Sequence, residues 1–171
     1  EGIELVSELL SAIRSTRQEL GISLTDPVDI ELRLEKSAAL SINSYQARLS
    51  RLGKVGQINS SDDLSLTGVA KPSVLTKTKS GWVIFPRLEE KYLTKAKDLQ
   101  EKRLKQTLKD IDSLTKQVSD PNFPPELKKE KATLLEEATT RKADIEKSIG
   151  FIWNRFETSE QYGYFSWGTG A

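Results

Sequence analysis

Residues 88–149 read LEEKYLTKAKDLQEKRLKQTLKDIDSLTKQVSDPNFPPELKKEKATLLEEATTRKADIEKSI, and this stretch decides the architecture. It is polar and helical in pattern. One break interrupts it, at Ser119-Asp120-Pro121-Asn122-Phe123-Pro124-Pro125. The spacing predicts a helix over Leu88 to Val118 and a returning helix over Glu126 to Ile149. In the first, Leu104, Leu108, Ile111, Thr115 and Val118 alternate by four and three. The second offers Leu127, Leu134 or Leu135, Ala138, Ile145, Ile149 and Ile152, with Arg141 interrupting the row. Two such stripes joined by a short loop predict an antiparallel coiled-coil arm over residues 88–152. At 1.5 Å per residue it extends about 40 Å. Tyr92, Ala96 and Leu99 fall off the stripe and point elsewhere, toward an α+β unit. An arm with so little apolar surface does not enclose a substrate; it reaches out to touch something.

Ahead of the arm the pattern alternates between helix and strand. Ile3, Val6, Leu9, Leu10, Ile13 and Leu20 make one apolar helical face over residues 3–20, and Gly21 ends it. Val28, Ile30 and Leu32 alternate with Asp29, Glu31 and Arg33 as a half-buried strand. Helical spacing returns over residues 35–52 with Leu40, Ile42, Tyr45, Leu49 and Leu52, and Gly53 caps that segment. A short strand follows over Val55 to Ile58, then a polar turn through Asn59 and Asp63. Two further strands, near residues 68–76 and 81–85, join through Lys77-Thr78-Lys79-Ser80-Gly81 as a hairpin. Pro72 places an edge strand or a bulge in the first of them. The expected fold is α+β: an N-terminal helix over 1–22, a three- to four-stranded antiparallel sheet with a helix over 23–87, the arm over 88–152, and an aromatic-rich tail over 153–171.

Composition narrows the function. The chain has 171 residues, of which 36% are hydrophobic and 30% charged, so the core is small and part of the fold elongated. Net charge is +1, which makes any basic surface local. Without histidine or cysteine there is no usual zinc site, thiol nucleophile or Ser-His-Asp triad. Gly53 and Gly56 flank Lys54-Val55, but no phosphate-binding glycine motif follows a strand. The expectation is a chain with no catalytic site, no metal and no cofactor. No apolar run is long enough to span a bilayer, and the start has no signal-peptide pattern. The chain opens on Glu1 and contains no methionine, which reads as a processed chain or a piece of a longer one.

Four groups of residues are candidates for contact. Lys95, Lys102, Lys109 and Lys116 recur every seven residues, with Lys91 and Lys105 beside them. A spacing of about 10 Å suits repeated contacts to a phosphate backbone; it also suits a solvated face in which Asp98 and Asp112 form ordinary ion pairs. Phe123 at the tip either stacks on a base or folds back to staple the turn. Arg14 and Arg17 share a helix face and either grip phosphate or pair with Glu4 and Glu19. Trp153, Phe156, Tyr162, Tyr164, Phe165 and Trp167 in the tail either dock on another protein or complete the core.

The order of these pieces resembles the C-terminal part of valyl-tRNA synthetase, a class I aminoacyl-tRNA synthetase. Leu10-Ser11-Ala12-Ile13-Arg14-Ser15-Thr16-Arg17-Gln18-Glu19-Leu20-Gly21-Ile22-Ser23 is similar to the family's last anticodon-domain helix and its A-[IV]-R-x-x-R-x-E pattern. Pro27-Val28 enters the strand as the family does, and Tyr45 to Ile58 resembles the next helix and strand. Val83-Ile84-Phe85-Pro86 resembles the strand before the arm. Phe123-Pro124-Pro125-Glu126 and Lys129-Glu130-Lys131 resemble its tip and return helix. The likeness covers roughly residues 3–150. It departs at Arg87-Leu88-Glu89-Glu90, at Leu24 and Asp26, in a shortened tip, and in the aromatic tail. The resemblance implies a non-catalytic segment that positions valine-type tRNA, with the arm leaning on the elbow of the RNA. The family's histidine-containing catalytic motif cannot exist here. The alternative is a synthetase-derived structural subunit of a larger protein assembly, docking through arm and tail. The expected compartment is cytoplasmic, or a plastid or mitochondrion if the missing initiator methionine reflects removal of a transit peptide.

Overall fold

A computed structural model describes residues 2–152. These fall into two compact units, one built from residues 2–96 with 151–152, the other from residues 97–150.

The first unit opens with α1 (Gly2–Leu20) and β1 (Val28–Leu34). The helical stretch that follows is split into α2 (Lys36–Ile42) and α3 (Gln46–Gly53) by a 3₁₀ turn at Asn43–Tyr45. Then come β2 (Val55–Ser61), β3 (Ser73–Thr78) and β4 (Gly81–Pro86), and the first turns of α4 (Glu90–Ser119). The strand order is β2-β1-β4-β3. The fold is α+β as expected, but the sheet is mixed rather than antiparallel: β1 pairs parallel with β2 and antiparallel with β4. The cause is the connection. A parallel neighbour needs a crossover, and α2–α3 supplies it between β1 and β2, whereas β3 and β4 meet through a tight turn. Pro72 lies just outside β3, which is an edge strand.

Alternation sends β1 side chains to two faces. Val28, Ile30, Leu32 and Leu34 face one layer, together with Val83 and Phe85 of β4, Val74 of β3 and Val55 of β2. Leu5, Val6, Leu9, Leu10 and Ile13 of α1 cover that face, with Ile42 of α2 and Leu49 of α3. Leu93, Ala96 and Ile152 close it, and Tyr92 packs at its margin. Leu40 and Leu52, expected in the helical core set, are exposed instead, as is Ile3; the 3₁₀ turn rotates the second half of the stretch relative to the first.

The opposite face holds a smaller cluster of Leu66, Val69, Leu75, Trp82 and Ile84, covered by the loop after β2. Arg33 holds that loop down. Its guanidinium donates to Glu31 at 2.5 Å, to the Asp63 carbonyl at 3.2 Å and to the Thr67 carbonyl at 2.8 Å. The Ser65 hydroxyl and N–H, with Arg33 adding, hold the Asp63 carboxyl below the usual carboxylate range.

Two glycines carry backbone requirements. Gly21 ends α1 with φ +75°, and the Ile22 N–H returns to the Arg17 carbonyl at 2.9 Å. Gly81 opens β4 at φ +149°, where an added Cβ would sit 2.0 Å from the Arg33 carbonyl oxygen. Gly53 works differently from the expected cap. The left-handed residue after α3 is Lys54 (φ 55°), while Gly53 is buried and an added Cβ there would press on Val55, Leu10 and Ile13 at 3.3–3.5 Å.

The second unit contains the remainder of α4 and α5 (Pro125–Ile152) up to Gly150. These long helices pack against each other. The turn between them is set by Asp120, whose carboxylate accepts from the Asn122 N–H at 2.9 Å and whose carbonyl accepts from the Phe123 N–H at 3.2 Å. No described helix is long and apolar enough to cross a membrane.

Candidate nucleic-acid interface

The arm's seam runs in a different phase from the expected one. Thr107 is buried and Leu108 is 44% exposed. Leu104, Ile111, Leu114 and Val118 are half-buried, and Thr115 is exposed. The inward row of α4 is therefore Leu104, Thr107, Ile111, Leu114 and Val118, alternating by three and four. On α5 it is Leu135, Ala138, Lys142, Ile145 and Ile149, with Ala138 fully buried. Leu127 and Leu134 lie outside the seam, at 42% and 39% exposure. Small side chains explain the phase. Thr107 and Ala138 are the buried small residues of the two helices, and the Thr107 hydroxyl is satisfied by donating to the Arg103 carbonyl at 2.8 Å. Arg141 does not interrupt the seam. It flanks it, reaching Asp110 of the other helix at 3.6 Å, the place where coiled coils put charged pairs.

This phase moves the lysines. With Leu104 and Thr107 at the two core positions of the heptad, Lys102, Lys109 and Lys116 occupy the position directly opposite the seam. All three are exposed, and Lys105 lies beside them, also exposed. The outer face of α4 between 102 and 116 carries these four lysines and one carboxylate, Asp112, which pairs with Lys116 at 3.1 Å. Lys102, Lys105 and Lys109 make no ion pair among the described residues. Residues 97–150 as a whole hold twelve basic and eleven acidic side chains, so the positive field is a property of this face alone. Lys95 is exposed in the first unit, near Gly21. Phe123 is half-buried at the turn.

The two arginines of α1 separate. Arg17 is 1% exposed. Its Nε donates to the Gly53 carbonyl at 3.2 Å, Nη1 to Ser23 at 2.8 Å and Nη2 to Lys54 at 2.6 Å. Burial pushes its pKa down from the usual arginine value, and Asp26 partly offsets this. The guanidinium ties off the C-terminus of α3 and the loop after α1, which leaves it no open face for phosphate and takes it out of the RNA-facing set. Neither Glu4 nor Glu19 is its partner. Arg14, one turn earlier, is exposed and makes only a long contact to the Leu52 carbonyl at 3.4 Å. It opens onto a hollow between α1 and α3 together with Arg51 and Lys54. The sequence reading passed over Arg48, Arg51 and Lys54. The three-residue spacing of Arg48 and Arg51 on α3, with Lys54 just past its end, is the signal available in the sequence.

Trp153, Phe156, Tyr162, Tyr164, Phe165 and Trp167 lie outside the described residues. Among the described residues no cluster of three or more acidic side chains is placed to hold a metal. No protein-family model matches the chain, and no curated protein matches it.

Proposed function

We propose that the arm is an RNA-binding element that positions a folded, tRNA-like RNA through the outer face of α4, in a non-catalytic role. One observation carries this reading: Lys102, Lys109 and Lys116 repeat at the outermost heptad position with Lys105 beside them, against a single carboxylate. Successive lysines one heptad apart are separated by about 10 Å along the helix. That is compatible with a row of phosphates on one strand and needs no base contact. The resemblance of residues 3–150 to the C-terminal part of valyl-tRNA synthetase supports tRNA as the RNA class. Phe123 is half-buried at the tip, and its ring is the group that would stack on a base there.

Changing Lys102, Lys109 and Lys116 together to Glu is expected to abolish binding to folded tRNA in a gel-shift or anisotropy titration, with the helical circular dichroism retained. Unchanged affinity in that variant would overturn the reading.

A further inference from the structure

A hollow lies between α1 and α3, in the first unit and built from residues other than the lysine row of α4. Ile3, Val6 and Leu10 of α1 line one end of it against Arg48 and Leu52 of α3, an open hollow of about 410 Å³. Arg14, Gln18 and Leu52 continue into a larger hollow of about 900 Å³, where Leu24, Arg51 and Lys54 join them. Two properties stand out. The channel has an aliphatic lining, with Ile3 and Leu24 each 70% exposed and Leu52 42% exposed. Its rim carries Arg14, Arg48, Arg51 and Lys54, all exposed. No carboxylate lines either hollow. None of the four cations makes an ion pair among the described residues. Arg48 lies over the Tyr45 ring at 5.9 Å, and Arg14 has only its long contact to Leu52. Among the described residues the fold gathers four positive charges beside exposed leucines with no ion-pair partner for any of them, and the carboxylate whose field reaches the hollow is Asp26, acting on Arg17.

We infer that this channel docks an acidic amphipathic helix of another protein. A cleft between two helices takes a third helix by accepting its apolar stripe, read as anchors at i, i+3, i+4 and i+7. The α1 wall from Ile3 to Gln18 runs about 22 Å, enough for about four turns. Carboxylates flanking that stripe meet Arg14 on the α1 wall and Arg48, Arg51 and Lys54 along α3 and its end. Charge complementarity of this kind fixes orientation and speeds encounter. Single-stranded RNA fits less well, because its binding sites supply aromatic platforms for bases and neither hollow is lined by an aromatic side chain. The inference does not rest on the RNA reading of the arm. It gives the assembly-subunit alternative a specific surface.

The test uses the full chain and a fluorescein-labelled 18-residue peptide with Leu at i, i+3, i+4 and i+7 and Glu on both flanks. A scrambled peptide of the same composition and a single-stranded RNA serve as controls. The ordered peptide is expected to bind at least tenfold more tightly than the scrambled one. Arg48→Glu with Arg51→Glu, and separately Leu52→Glu, are each expected to weaken it tenfold or more. The Lys102, Lys109 and Lys116 triple variant is expected to bind the peptide unchanged. All of these side chains are exposed, and circular dichroism checks that the variants fold. Absence of peptide binding, equal binding of ordered and scrambled peptides, or indifference to Arg48 and Arg51 would each overturn the inference. RNA binding that is lost in the Arg48/Arg51 variant, without peptide binding, would overturn it in favour of a nucleic-acid site.

Discussion

The α+β unit and the arm reach stability by opposite routes. In the first, Leu9, Ile13, Ile30, Leu32, Ile42, Val83 and Phe85 are all shielded completely, and the position of each is set by filling a common volume. Along residues 97–150 the buried side chains are small or spaced a heptad apart, Thr107, Ala138, Ile145 and Ser148. Charged side chains make up 23 of these 54 residues. A core specified by volume tolerates little change at any position. A seam specified by register tolerates change nearly everywhere except along one narrow row, which frees the outer face of α4 to carry its row of lysines.

The largest effect that would break this comparison is a truncation in the core. Phe85→Ala is expected to cost about 3–5 kcal/mol in urea denaturation, through lost contacts and the cavity left behind. A cost below 1 kcal/mol would mean that the sheet face is not close-packed. Next comes Arg17→Met, expected to destabilise by about 3 kcal/mol, because the carbonyls of Gly53, Ser23 and Lys54 lose their donor in a buried site. A phosphate-gripping Arg17 would instead leave stability alone and weaken RNA binding.

The register of the arm is sharpened by a pair of substitutions. Leu114→Ser is expected to lower the stability of the arm by about 1–2 kcal/mol, and Leu108→Ser to leave it within about 0.5 kcal/mol, as a surface change does. Amide hydrogen exchange over residues 97–150 reads both. The reverse order would restore the phase that places Leu108 in the seam. The smallest effect is a pH dependence in the first unit. Asp29 accepts from Arg87 Nη2 at 2.8 Å and from the Gln57 N–H at 2.9 Å, and these bonds hold its carboxyl below its usual range. Its stabilising contribution is therefore complete above the usual aspartate pKa of about 4 and is lost as pH falls through the lowered folded value. Asp29→Asn is expected to flatten the fall in urea midpoint between pH 6 and pH 2.5. A parallel curve would show that Asp29 has no part in it.

Much of this was legible in the residues. The alternation of Val28, Ile30 and Leu32 gives β1, and Gly21 gives the end of α1. Two sparse apolar rows around Pro121 and Pro124 give the arm. The parallel pairing was present in the strand-helix-strand order of residues 28–61, which is a crossover pattern. It was obscured because the later hairpin dominates the reading. The heptad phase was missed for a chemical reason: a pattern reading prefers Leu108 to Thr107, while the structure buries the smaller residue once its hydroxyl bonds its own helix. Arg17 and Arg14 are three apart and look equivalent in sequence. Only the arrival of the α3 terminus at Gly53 and Lys54 distinguishes the buried one from the open one. The cationic rim at Arg48, Arg51 and Lys54 shares that limit, since helical spacing shows that they cluster but not which cleft they border.

The most direct measurement is the salt dependence of tRNA affinity for the natural chain and for a variant with Lys102, Lys109 and Lys116 all changed to Gln. Each phosphate contact contributes about 0.9 to the slope of log K against log salt on B-form DNA and about 0.7 on single strands, which brackets the value expected for a folded RNA. If the lysine row contacts phosphates, the slope falls by about two to three in the variant, and affinity at low salt falls with it. Equal slopes for the two proteins would contradict the assignment of the outer face of α4 as the RNA-binding surface.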